Sequence, residues 1–265
     1  MGETGVCLRF DEELRFFLAP RNRGAGVRVP LDGTSTIGHL VESLGVPLTE
    51  VGSLSCAGQA VPASRRPQAG DVVDVRPVNR PQRLPISPPR FLLDVHLGAL
   101  ARRLRLVGVD CAYSNDAADD ELIALANTAN RVLLTQDRGL LRRRSLRLGG
   151  HVRGGMPDQQ LLDVLQRYAP PLAPWTICPA CNGRLATVRK ADVEHALQLG
   201  TRRTYDAFKL CPDCGQVYWR GAHSRRLDGI VSAAAAAVGS AGAGQVSSRS
   251  IAMPGVTPSS TLGLA

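Results

Sequence analysis

Aromatic side chains make up only 4% of this 265-residue sequence, which argues against broad base-stacking platforms. No apolar run approaches the roughly 18 residues of a membrane span, so no membrane partner is expected. The N-terminus lacks a charged segment followed by an apolar stretch, so no export signal is expected either. The chain therefore reads as cytoplasmic. Thiols stay reduced in that compartment, and paired cysteines there bind metal more often than they form disulfides.

What is present begins with an ordinary hydrophobic content of 44%, enough for a real core. Net charge is +9, the pI is near 9.7, and arginine far outnumbers lysine. Such a balance suits a polyanionic partner, and it equally suits a general basic bias of composition. It speaks to partners and solubility, not to fold. The length suggests two or three domains.

Residues 1–77 read as a small α+β unit. Val6, Leu8 and Phe10 alternate, as do Val27, Val29 and Leu31, which is strand period. Thr34, Ser35 and Thr36 precede Ile37, Leu40, Val41 and Leu44, with Gly45 as a stop, which predicts a capped amphipathic helix. Short strands are predicted around residues 53–56 and 71–75. This order resembles the β-grasp (ubiquitin-like, sulfur-carrier-like) fold. Sulfur carriers end in a free Gly-Gly tail, whereas Val75-Arg76-Pro77 runs on into more protein, which argues against carrier chemistry. Docking, RNA positioning and plain packing stay open for this unit, and its protein partner is unknown. Residues 78–90 are a proline-rich, semi-rigid linker.

Residues 91–174 alternate short apolar runs with helical patterns, and acids stand where the runs stop. Phe91-Leu92-Leu93 ends in Asp94, and Val132-Leu133-Leu134-Thr135-Gln136 ends in Asp137. Between them lie Asp116, Asp119, Asp120 and Glu121. Helices are predicted after Asp94, over residues 121–129, over 139–148 and after Pro157, with a fourth strand at His151-Val152-Arg153. Short βα units imply right-handed crossovers and a parallel sheet. Ligands of such sheets gather outside the carboxyl ends of the strands, so the acids would meet at one edge. Hard carboxylate oxygens there suit magnesium or manganese. Asp94 or Asp137 alone reads as a helix cap; together with Asp119 or Asp120 they read as a metal site. Asp158 reads better as a cap. From Arg90 to Arg153 there are eleven Arg and no Lys against seven Asp or Glu. Arg138, Arg142 and Arg143, close to Asp137, are candidates to hold RNA phosphates, with a solvated helix face as the bland alternative.

Residues 175–231 carry Cys178-Pro-Ala-Cys181 and Cys211-Pro-Asp-Cys214, with 29 residues between the pairs. Each C-x2-C turn sets two thiolates on one side of a knuckle, and two knuckles complete a tetrahedral, structural zinc site. The interval leaves room for a helix near Lys190–Leu199. Cys7, Cys56 and Cys111 read as buried hydrophobes. His96 reads as a surface residue at a helix start, near enough to Asp94 to touch a substrate; His223 follows the second knuckle, and Tyr218 and Trp219 read as ribbon packing with some capacity to stack on a base. Residues 232–265, rich in Ala, Gly and Ser, are expected to be disordered.

LLDVHLGALARRLRLVGVD, DDELIALA, RVLLTQDRGLL, the two C-P-x-C knuckles and YWRGAH, in that order, resemble the Mut-seven C-terminal ribonuclease-like domain. The resemblance implies a PIN-like nuclease fold with a zinc ribbon, preceded by a ubiquitin-like module. It places catalytic, metal-holding acids at Asp94, at Asp119 in a D-x-E-L pattern, and at Asp137 in a T-x-D-R segment with Thr135 and Arg138. It places zinc on Cys178, Cys181, Cys211 and Cys214. A fourth PIN acid has no secure match; Asp158 is the nearest. The resulting expectation is a metal-dependent ribonuclease using magnesium or manganese, the alternative a non-catalytic, zinc-ribbon RNA-binding adaptor.

Overall fold

The computed structural model describes residues 5–221 and 224–246. The N-terminal unit comprises β1 (Gly5–Phe10), α1 (Glu12–Arg15), β2 (Val27–Pro30), α2 (Ile37–Ser43), β3 (Val51–Cys56), β4 (Gln59–Ala60) and β5 (Val72–Pro77). Its five-stranded sheet has the order β2-β1-β5-β3-β4, with β1 and β5 parallel and the other pairs antiparallel. The alternation in β1 turns Val6, Leu8 and Phe10 onto the face that α2 covers with Ile37, Leu40 and Val41. The Thr36 hydroxyl caps α2 by accepting from the His39 amide at 3.2 Å. This is the β-grasp arrangement. The short α1 and β4 carry no strong signal in sequence.

The second unit comprises β6 (Phe91–Leu93), α3 (Gly98–Leu106), β7 (Cys111–Tyr113), α4 (Asp119–Thr128), β8 (Val132–Thr135), α5 (Arg138–Leu141), β9 (Gly149–His151) and α6 (Pro157–Tyr168). Its four strands are all parallel, in the order β7-β6-β8-β9. Both faces are covered, which is why the strands read as unbroken apolar runs. Phe91, Leu93, Val132 and Leu134 face α3 and α6, while Leu92 and Leu133 face α4 and α5. At the end of α3, Gly108 takes a φ of +82°, and a Cβ there would lie 1.9 Å from the Ala173 carbonyl, so only glycine fits.

Two expectations are corrected within this unit. Residues 139–148 are not one helix, because α5 stops after a single turn. The Asn127 side chain, on α4, donates to the Ser145 carbonyl at 2.7 Å and accepts from the Arg147 amide at 3.1 Å. Those bonds draw the arginine-rich segment off the helical path and into β9. The fourth strand consequently lies at Gly149–His151, earlier than expected.

The third unit holds β10 (Ala186–Val188), α7 (Lys190–Val193), α8 (Leu199–Thr204), β11 (Phe208–Leu210) and β12 (Val217–Trp219). The strands form an antiparallel sheet in the order β10-β11-β12 over a small core of Val193, Leu197 and Phe208. Beyond it, α9 (Ser224–Val246) corrects the expected disorder after residue 231. Alanine is the best helix former, and its small side chain lets two helices approach closely. Ala234 and Ala237 are buried in the same core as Leu161, Val164 and Leu165 of α6. Residues 247–265 of the expected tail, and His223, lie outside the described residues.

The β-grasp unit is docked on the outer strand of the parallel sheet. Glu50, 2% exposed, receives two bonds of 2.9 Å from the guanidinium of Arg167, 1% exposed, and one of 2.8 Å from the His151 amide. Arg138 lies over the Phe16 ring at 4.3 Å, and the His151 ring meets Phe16 and Phe17 edge-on. Arg153 pairs with Glu13 at 3.0 Å. The linker is tied down as well, through Arg80–Asp163 at 2.8 Å and Gln82 to Arg167.

Candidate active site and metal centre

Chain order and strand order diverge between β6 and β8, since the chain leaves β6 for β7 on one side and then returns to β8 on the other. Open parallel sheets bind ligands at such a switch point, outside the carboxyl ends of the strands. Asp94 and Thr135 stand there. Asp94 is 6% exposed; its Oδ2 accepts from Thr135 Oγ1 at 2.5 Å and its Oδ1 from the Val95 amide at 2.6 Å. Thr135 Oγ1 in turn accepts from the Asp137 amide at 2.9 Å. The exposed Asp137 carboxylate caps α5, accepting from the Gly139 and Leu140 amides at 2.6 and 3.3 Å. One hydroxyl thus links the two strand-end acids.

Asp119 is the first residue of α4, on the loop that leaves β7, and it is exposed. Because the strands are parallel, this loop opens on the same edge of the sheet as Asp94 and Asp137. Glu121 closes the helix start by accepting from the Ala118 amide at 3.1 Å. Asp120 pairs with Arg143, and Asp158 pairs with Arg103. The carboxylates of Asp94, Asp119 and Asp137 are not gathered within 4.8 Å of one another; among the described residues, the four knuckle cysteines are the one group of three or more metal-ligating side chains that is.

The arginines divide between two tasks. Arg138 and Arg142 turn to the β-grasp unit: Arg138 stacks on Phe16 and donates to the Phe17 carbonyl at 3.5 Å, and Arg142 donates to the Glu42 carbonyl at 3.4 Å. Arg143 stays beside the α4 acids. His96 is exposed one turn past Asp94. Thr135 was read only as part of a motif, and the roles of Glu50 and Arg167 had no sequence signal, because their partners lie 41 and 117 residues away.

The knuckles are built alike. In each, the residue after the second cysteine has a left-handed backbone (Asn182 φ +73°, Gly215 φ +73°) and returns its N–H to the carbonyl of the first cysteine. The four sulfurs lie within 4.8 Å of one another, with Cys178–Cys214 at 3.7 Å and Cys181–Cys211 at 3.4 Å. A tetrahedral zinc with bonds of about 2.3 Å needs sulfurs about 3.8 Å apart, so the quartet fits that ion, and four thiolates leave it no open position. Burial opposes ionisation of the Cys178 thiol, but hydrogen bonds from Tyr218 and the Cys181 and Ala180 amides outweigh it and bring the pKa to about 7. Burial pushes the Cys181 thiol up to about 12.

The first knuckle is clamped to the parallel sheet. Asn182 accepts from the Cys111 amide at 2.8 Å and donates to Asp110 at 2.7 Å, while Arg105 donates to the Pro179 and Ala180 carbonyls at 3.2 and 2.7 Å. The ribbon thereby occupies the open edge of β7. No helix among the described residues is long and apolar enough to cross a membrane.

Residues 89–231 match the family model described as Mut7-C RNAse domain, and residues 3–83 match the one described as Mut7-C ubiquitin. No curated protein and no solved structure matches the chain.

Proposed function

The chain belongs to the Mut7-C RNAse domain family, and from that premise we propose that it is a metal-dependent ribonuclease hydrolysing RNA phosphodiester bonds at the crevice between β6 and β8. The reading is carried by the run of hydrogen bonds from the Asp137 amide through Thr135 Oγ1 to Asp94 Oδ2. That run ties the Asp94 carboxylate to the backbone of Asp137, at the edge where this class of sheet binds ligands. Asp94, Asp119 and Asp137 would hold magnesium or manganese. The donor chemistry fits: all are hard oxygens, and magnesium commonly keeps several waters beside one or two carboxylates. The chemistry supplied there is Lewis acidity and a bound water of lowered pKa. Thr135 orients Asp94, and Arg143 is placed to steady the RNA backbone. Arg138 and Arg142 serve the domain seam in this reading, not the substrate.

Cleavage of a labelled single-stranded RNA, with and without added magnesium or manganese, tests the proposal. Asp94→Asn and Asp137→Asn are expected to lose about a hundredfold or more in rate; the exposed Asp137→Asn should melt like the wild type, and Asp94→Asn, which loses one acceptor for the Thr135 hydroxyl or the Val95 amide, at a somewhat lower temperature. Equal cleavage by all three proteins, indifferent to added metal, would end it. A non-catalytic RNA adaptor is the second reading, favoured because Asp94 and Asp137 each already cap a helical turn. Its signature is salt-sensitive RNA binding with no products under either metal.

A further inference from the structure

The sequence holds two tryptophans, and both line one groove on the ribbon. Trp175, Phe208, Lys209, Tyr218, Trp219 and Arg220 surround a cavity of about 370 Å³. A second cavity, of about 400 Å³, continues from it along α3, sharing Trp175 and Tyr218 and adding Arg102 and Arg103. Each is large enough for a small organic ligand. Four cationic residues and no acid line the pair. Arg103 is already paired with Asp158, and Lys209 donates to the Trp175 carbonyl at 2.6 Å, which leaves Arg102 and Arg220 exposed.

Trp175 is unusual in three respects. Its φ of +63° is left-handed, a costly conformation for a bulky residue. Its backbone is pinned there by bonds from its own amide to the Leu106 carbonyl and from Lys209 to its carbonyl. Its indole N–H is buried with no hydrogen-bond partner among the described residues, although the ring borders both cavities. Arg220 lies 5.6 Å above that ring. Trp219 is 39% exposed, a large aromatic surface left open to solvent beside these cations.

Aromatic faces set in a cationic groove are the elements of single-stranded nucleic-acid binding, where bases stack and phosphates meet arginine. We propose that this groove is a binding site for single-stranded RNA, in which an unpaired base stacks on Trp219 and Arg102 and Arg220 hold the flanking phosphates. The choice of RNA rests on the ribonuclease reading; the groove itself lies apart from the acids.

Since both tryptophans of the sequence line the site, fluorescence excited selectively at tryptophan, beyond the absorption of the four tyrosines, reports on it. The full-length, zinc-loaded protein, without magnesium or manganese, would be titrated with single-stranded oligouridylate of about ten nucleotides, within the span such grooves cover. Saturable quenching is expected. Trp219→Ala should weaken binding about tenfold or more, and Trp219→Phe should keep most of the affinity. Arg220→Glu should weaken binding and flatten its salt dependence. Zinc content and melting temperature show whether each variant is folded; should Trp219→Ala unfold the ribbon, Arg220→Glu carries the test. Binding without quenching, full affinity in the variants, equal affinity for duplex RNA, or quenching by a proline-rich peptide but not by RNA would each overturn the proposal. Stacking-dependent binding together with no cleavage when magnesium or manganese is added would sink the ribonuclease reading and leave this site standing. Acid-dependent cleavage with no effect of Trp219 would do the reverse.

Discussion

Thr135 ends β8 with its side chain fully buried, and its hydroxyl both donates and accepts. It donates to Asp94 and accepts from the Asp137 amide. A valine has almost the same shape but neither capacity. Thr135→Val would leave a buried carboxylate oxygen without its donor, a loss of about 1–3 kcal/mol. Urea unfolding should show that loss for Thr135→Val and recover most of it for Thr135→Ser. Equal stability of valine variant and wild type would mean that the hydroxyl does not hold Asp94. At this scale the sequence was legible in part. The acids stand out because each terminates an apolar run, and the knuckle cysteines because of their spacing. The stacking of Arg138 on Phe16 left no mark in the sequence, where an arginine beside an acid reads as a phosphate ligand.

Elements were legible where burial imposed a period. β6 and β8 are covered on both faces and so appear as solid apolar runs; β1 is covered on one and alternates. Legibility failed where a tertiary contact decided the outcome. Asn127 cuts short the helix that residues 139–148 suggested, and α6 supplies the partner that makes an alanine-rich segment helical. The ribbon is a further case, since its own core is only Val193, Leu197 and Phe208. A core of that size would leave a bound metal to supply much of the folding free energy. Removing zinc with a chelator should therefore melt the ribbon while the parallel sheet persists. The diagnostic group is the Cys111 amide, which is held by Asn182 of the first knuckle. Hydrogen exchange at Cys111 should accelerate on chelation, with protection at Leu92 and Leu133 retained, and zinc should restore it. Unchanged protection at Cys111 would show that the knuckle holds its shape without metal.

Across the whole molecule, the ubiquitin-like unit and the Mut7-C RNAse domain share one buried seam, not a flexible tether. Removing one partner of a buried ion pair typically costs about 3–5 kcal/mol, so the Glu50–Arg167 contact makes docking integral to the fold. His151 sits in that seam between the Phe16 and Phe17 rings, and its Nδ1 is buried without a partner among the described residues. Burial depresses its pKa below the ordinary 6.5; Arg138 and Arg153 act in the same direction, while Glu50 and Asp163 oppose them. A depressed folded-state pKa means that the native seam prefers the neutral ring. The stability this provides is complete above the ordinary value and drains away as the pH falls from there through the folded-state pKa. Melting temperature should accordingly decline from about pH 6.5 downward, with loosening of the His151 amide, which Glu50 holds at 2.8 Å. His151→Phe keeps an aromatic ring between Phe16 and Phe17 and has nothing to protonate. Its melting curve should stay flatter than that of the wild type over the same interval. Superimposable pH profiles for the two proteins would place the acid sensitivity in other groups and leave His151 a packing residue only.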